Sequence, residues 1–188
     1  MTRMPLSLIL LALVPMGSLA AQEHMHDEEA MHEHMQGHDA AVGSVAPLFE
    51  MVKGYLIAAA EQMPEEHYGY QPTPEVRTFG EIVGHVANAA FMFCGAATGE
   101  GGQPSENYEE RTSKAGLVEA IKLGFGQCDA AYAMDDAKAM EEVEFFGQTG
   151  TRLWVLTFNT AHNWEHYGNL VTYMRANGQV PPSSQRGN

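Results

Sequence analysis

His162 and His166 stand four residues apart in TAHNWEHYGN, and His85 stands far upstream in VGHVANAA. On a helix, a spacing of four stacks two imidazoles on one face, the arrangement by which a helix offers two nitrogens to a divalent metal. At about 100° per residue, Ile82, Ala89 and Met92 fall within about 60° of His85, so this histidine turns inward with the apolar stripe of its own helix. Val155, Asn159, Asn169 and Tyr173 share the stripe of His162 and His166. A face with two His and two Asn inside an apolar bundle holds unsatisfied polar groups unless something binds them, and a metal satisfies imidazole well. Spacing alone leaves hydrogen-bonded core histidines as the competing reading.

The elements that must carry these residues are helical. From Ser44, Val45, Leu48, Phe49, Val52, Leu56 and Ala59 recur at three- and four-residue steps until Pro64 interrupts them. PEEHYGYQPTPEVR, with three prolines, reads as a connecting loop. A second helix starts at Thr78, where Thr78-Phe79-Gly80-Glu81 has the form of a capping box, and runs to about Ala97. GEGGQPSENYEE reads as another loop. A third helix starts near Thr112 or Ser113 and buries Leu117, Ile121, Phe125 and Cys128 before Asp135. Residues 135–150 read as a third connection with room for a short helical turn, and a fourth helix runs from Thr151 to Ala176, stopped by Asn177-Gly178 with Pro181-Pro182 beyond. Nothing alternates at period two over a useful length, and four amphipathic helices bury themselves most simply as an all-α four-helix bundle.

The ends of the chain differ from this domain. Residues 1–20 read as a secretory signal peptide: Arg3 is the only charge, Leu6 to Val14 form a short apolar run, and Gly17-Ser18-Leu19-Ala20 offers small residues for cleavage. The run is too short for a bilayer, which needs about 20 residues, and no cysteine follows it to carry a lipid. A periplasmic or secreted protein is expected. Residues 21–43 read as a disordered tail in which His24, His26, His32, His34 and His38 with Met25, Met31 and Met35 could collect copper, nickel or zinc loosely, or simply be solvated. The domain then covers residues 44–182, with 183–188 as a C-terminal tail. Removing the signal leaves 9 basic against 24 acidic residues. Such a surface repels nucleic acid and anionic lipid, so the expected partners are a small-molecule substrate, no nucleic acid and no membrane, with a homodimer left open.

Cys94 and Cys128 match no thiolate metal motif, and Cys94 falls about 180° from His85 on its helix, a poor position for a ligand. In an oxidising compartment one bridge between them is expected, with two buried thiols as the alternative.

Three segments together resemble the DinB family of bacterial four-helix bundles, similar to the YfiT-like metal-dependent hydrolases. These are AAEQMPEEHYGYQPTPEVRTFGEIVGHVANA, TAHNWEHYGN and VTYMRANGQVPPS, and the likeness covers roughly residues 44–182. It implies that His85, His162 and His166 bind a divalent metal, zinc or nickel. Tyr167 and Asn169 stand where the family often has a basic residue and Gln. Three ligands without a fourth leave a position for water, the arrangement of catalytic zinc, and such water ionises near neutral pH. Glu165, roughly 60° from His162, is the candidate for orienting that water or acting as general base, against the reading of a solvated carboxylate. Asn159 and Asn169 are candidates for fixing the imidazole tautomers. A capping role explains Glu81 as well as any role beside His85. The functions that follow are a metal-dependent hydrolase of a small molecule, a periplasmic metal-binding or buffering protein, a thiol transferase-like relative, or a structural bundle with a vestigial site.

Overall fold

The computed structural model describes residues 40–185; the signal peptide, the His/Met-rich segment up to Asp39 and residues 186–188 lie outside the described residues. Four long helices, α1 (Ala40–Gln62), α2 (Phe79–Thr98), α3 (Lys114–Cys128) and α5 (Arg152–Ala176), are joined by loops, a one-turn α4 (Asp136–Ala139) and a hairpin of β1 (Glu142–Phe145) and β2 (Gln148–Thr151). α1 packs on α3 and α5, and α2 packs on the same two helices. The helices consecutive in sequence, α1 and α2, are therefore not the main neighbours. The adjacent pair that carries the histidines is α2 and α5.

Local chemistry sets most helix starts. Thr78 accepts a hydrogen bond from the Glu81 N–H, while Glu81 accepts one from the Thr78 N–H, completing the capping box. Ser113 and Thr151 cap α3 and α5 more simply, each side-chain oxygen accepting from one N–H of the first turn, Gly116 and Trp154 respectively. Glu81 is thus occupied as a cap. α1 differs from expectation: it begins at Ala40, not Ser44, because the Asp136 carboxylate, 94 and 95 residues downstream, accepts hydrogen bonds from the N–H groups of Val42 and Ala41. Residues 40–43 belong to the helix. α1 is long and apolar enough to cross a membrane, yet Val42, Phe49, Val52 and Leu56 are fully buried on the bundle, as in the core helix of a packed domain.

The connection at 135–150 is more ordered than its composition announces. Glu142 pairs with Thr151 and Phe145 with Gln148 in an antiparallel ladder. The alternation Glu142-Val143-Glu144-Phe145 is present in the chain but only four residues long. The ladder turns through Phe146 and Gly147, both at positive φ (50° and 72°). A left-handed conformation costs a residue with a Cβ on the order of 1 kcal/mol, and hairpins of this kind prefer Asn-Gly. The C-terminal segment is also docked. The Tyr167 hydroxyl donates to Ser183 Oγ and accepts from the Ser183 N–H, and Gln185 donates to Gln62, so residues 183–185 are no tail.

Cys94 and Cys128 form a disulfide with a Cα separation of 5.0 Å. It is wholly buried and joins α2 to α3 on the side away from His85. A methyl group on Gly124, one turn before Cys128, would lie 2.8 Å from the Ala87 carbonyl oxygen, so only glycine allows the two helices to approach this closely.

Closing a 34-residue separation restricts the unfolded chain, and the Cys94→Ser/Cys128→Ser variant should lose on the order of 3 kcal/mol. Denaturant midpoints of the oxidised protein and this variant measure the difference. Coincident midpoints would reject a stabilising role for the bridge.

Candidate metal centre

α2 and α5 bring His85, His162 and His166 together. One ligand atom from each lies within 4.8 Å of the others. His162 Nε2 is 3.1 Å from His85 Nε2 and 3.0 Å from His166 Nε2. Neutral imidazoles have one N–H each, so three Nε2 atoms at this range cannot all be satisfied by one another. A tetrahedral ion with bonds of 2.0–2.1 Å places its nitrogens about 3.4 Å apart, which small side-chain adjustments reach from here. Three imidazole nitrogens form a donor set that suits a divalent transition metal.

Burial keeps His162 and His166 neutral. His162 titrates at about 3, first because burial disfavours its charged form and then because His166, His85 and Arg77 repel a proton. His166, only 8% exposed, is lowered to about 4 by burial, His85 and Arg77, with Glu109 opposing. Lone pairs on neutral imidazoles are what a metal requires.

The orientation of His85 comes from a residue that the sequence reading passed over. Glu109 Oε1 lies 2.7 Å from His85 Nδ1, and Arg77 Nε donates to Glu109 Oε2 at 2.9 Å. Burial opposes ionisation of Glu109, but the bonds from Arg77 and His85 outweigh it and hold its carboxyl below the usual range. The Tyr173 hydroxyl donates to the Arg77 carbonyl and steadies that end of the chain of contacts. Glu109 lies in a 3-10 turn, Tyr108–Glu110, capped by Asn107 and pinned to α2 through Asn88, whose side-chain oxygen accepts the Tyr108 N–H. A Cβ on Gly84 would lie 2.4 Å from the Tyr108 carbonyl oxygen and 2.7 Å from the Glu109 nitrogen. Glycine immediately before His85 thus lets the carboxylate turn press against the helix that carries the imidazole. That Gly-His pair was the only local signal for Glu109 in the sequence.

Two expected orienting groups do other work. Asn159 is buried against Cys94 and Cys128 and donates to the Tyr132 hydroxyl at 3.1 Å, with Asn163 donating to its carbonyl. It belongs to a polar layer behind the cluster. Asn169 is exposed on a cleft of about 570 Å³ that also reaches Glu165, His166, Glu109 and Arg77. Neither amide bonds to an imidazole: His162 Nδ1 and His166 Nδ1 have no protein partner. Glu165 is exposed in that polar cleft, next to His166. Tyr167 turns the other way, stacking on Tyr55 and holding Ser183.

A second cleft, of about 620 Å³, is lined by His85 and His162 with Met92, Phe93, Phe146 and Phe158. The imidazoles therefore line a polar cleft through His166 and an aromatic one through His85 and His162, and Glu109 lines both.

The DinB superfamily matches residues 48–170. Among solved structures, a DinB-like protein from Bacillus cereus is 16% identical, with a TM-score of 0.62 over 70% of this chain and 89% of that one. A DinB-like protein from Bacillus subtilis is 20% identical, with a TM-score of 0.61 over 77% and 99%. The mycothiol-dependent maleylpyruvate isomerase is 18% identical, with a TM-score of 0.57 over 69% of this chain and 60% of that one. No curated protein sequence matches the chain.

Removing the carboxylate that orients His85, in Glu109→Ala, should weaken metal binding about 10- to 100-fold with the helical content unchanged. Competition with a chromophoric chelator measures it, and equal affinity would remove Glu109 from the site. In the unfolded chain His162 and His166 titrate near 6.5 and therefore bind more protons than the folded chain between that pH and about 4. Their neutral burial is fully compatible with folding above pH 6.5, and stability falls as the pH drops below it. Thermal melts of chelator-treated protein should show this fall, shallower in His162→Gln/His166→Gln; the same slope in that variant would overturn the assignment.

Proposed function

The chain belongs to the DinB superfamily, and from that premise together with its imidazole cluster we propose that it is a divalent-metal-dependent hydrolase of a small molecule. The observation that carries this reading is the meeting of three Nε2 atoms on two clefts, so that the donors are preorganised and a substrate can reach them from outside. His85, His162 and His166 would hold zinc or nickel. When bound, such an ion supplies a Lewis acid and lowers the pKa of water at the open position.

The chain's own groups complete the chemistry. Glu109 holds His85 in one tautomer and orientation, while Arg77 keeps Glu109 ionised. Glu165, which lines the polar cleft with His166, would accept the proton of the attacking water as general base. The aromatic lining of the second cleft would receive the body of the substrate.

Export into an oxidising compartment is part of the proposal, supported by the signal-like residues 1–20 and by the buried bridge between Cys94 and Cys128. The fold shared with a mycothiol-dependent isomerase raises a thiol-dependent reaction as an alternative. An exported location disfavours it, because low-molecular-weight thiols are kept in the cytoplasm. Metal buffering without turnover is the second reading, favoured by the density of His and Met in residues 22–40.

The full chain should bind one zinc or nickel ion in the bundle, and His85→Ala, His162→Ala and His166→Ala should each abolish it. Glu165→Gln should keep the ion and lower kcat on ester or amide substrates by about 10²- to 10⁴-fold. Stoichiometric metal in the histidine variants removes the site. Metal bound with no turnover across such a panel replaces the hydrolase with the buffer.

A further inference from the structure

Phe146 is poorly explained by folding alone. It occupies the first central position of a two-residue turn at φ 50°, where Asn or Gly stands without strain, and its ring is 60% exposed. Its neighbours give it a purpose. The Phe146 ring lies 6.2 Å from Phe93 and 6.1 Å from Phe158, edge to face in both cases. Phe158, 39% exposed, is on α5 one turn before His162, and buried Phe93 stands 5.4 Å from the His162 ring. Two solvent-facing rings from different elements thus share one cleft with His85 and His162. The hairpin carries the first of them there, anchored at its base by Arg152, which bonds both Glu141 and the Ala97 carbonyl.

We propose that this cleft is a subsite for the ring of an uncharged aromatic small molecule, bound with its polar group toward the imidazoles. The space, about 620 Å³, suits one or two rings. Met92 and the three phenylalanines supply apolar and edge-to-face contacts, while the Gln103 amide offers a neutral hydrogen-bonding group on the same cleft. Glu106 and Glu109 on the same cleft, in a chain of net charge −14, disfavour carboxylate ligands. The direction of the polar group rests on the metal-dependent reading above; the ring subsite rests on the cleft itself.

Two hydroxamates that share a metal-binding head separate these claims. In the zinc-loaded full chain, benzohydroxamate should bind about tenfold tighter than acetohydroxamate, and benzoate weakly. Phe146→Asn, which suits the turn and should melt no lower than the parent, and Phe158→Ala should each remove most of that ratio while acetohydroxamate binding is unchanged. A ratio near one in the parent, or a ratio preserved in both variants, overturns the subsite. If neither hydroxamate binds, the metal reading fails instead, and benzamide added to metal-free protein decides the subsite: chemical-shift changes at Phe146 and Phe158 support it, and their absence overturns it.

Discussion

Three imidazole nitrogens that meet inside a helical bundle cannot satisfy one another, and most of the surrounding architecture follows from holding them there. His162 and His166 come from one face of α5, and His85 comes from α2, so these two helices must be neighbours at a fixed rotation. Burial keeps His162 and His166 neutral, so these two imidazoles present lone pairs rather than positive charge. Only His85 is oriented by a protein acceptor. The contact between Gly84 and the Tyr108–Glu109 backbone is consequently as much part of the site as the ligands, since it decides how near the Glu109 carboxylate can come.

Behind the cluster, the bundle separates structure from chemistry. The Cys94–Cys128 bridge, Asn159, Asn163, Thr160 and Tyr132 form a buried layer that ties α2, α3, α5 and the segment after α3 together. Asn159 shares a helical stripe with His162, but its amide is consumed by Tyr132 and the sulfurs. Rigid packing on that side leaves access to the imidazoles from the two clefts, one acidic and one aromatic. One of those clefts is lined mainly by charged and polar groups and the other mainly by aromatic ones, with Glu109 on both.

The hairpin is the element least like an ordinary bundle connection. Phe145 faces the core from β1, whereas Phe146, the next residue, is forced outward by its left-handed backbone. Arg152 locks the hairpin base to the end of α2, so a strained turn is held at a constant distance from the imidazoles.

Sequence alone determined the elements whose information is local. The capping box at Thr78, helix starts near Thr112 or Ser113 and about Thr151, the stop at Asn177-Gly178 and the four-residue spacing of His162 and His166 are each decided within a few residues, and the α-helical period carries them directly into three dimensions. The inward face of His85 was legible for the same reason, whereas the bridge between Cys94 and Cys128 followed only from an oxidising compartment and had two buried thiols as its alternative until the packing of α2 on α3 brought the sulfurs together. Tertiary structure decided everything that depends on partners distant in the chain. Asp136 starts α1 from 95 residues away, Glu109 reaches His85 from a loop that has no periodicity, and Arg77 holds Glu109 across 32 residues. Asn159 shows the limit from the other direction: a helical wheel puts it on the stripe of the imidazoles, but only the packing of α3 and Tyr132 against it determines which neighbour takes its amide.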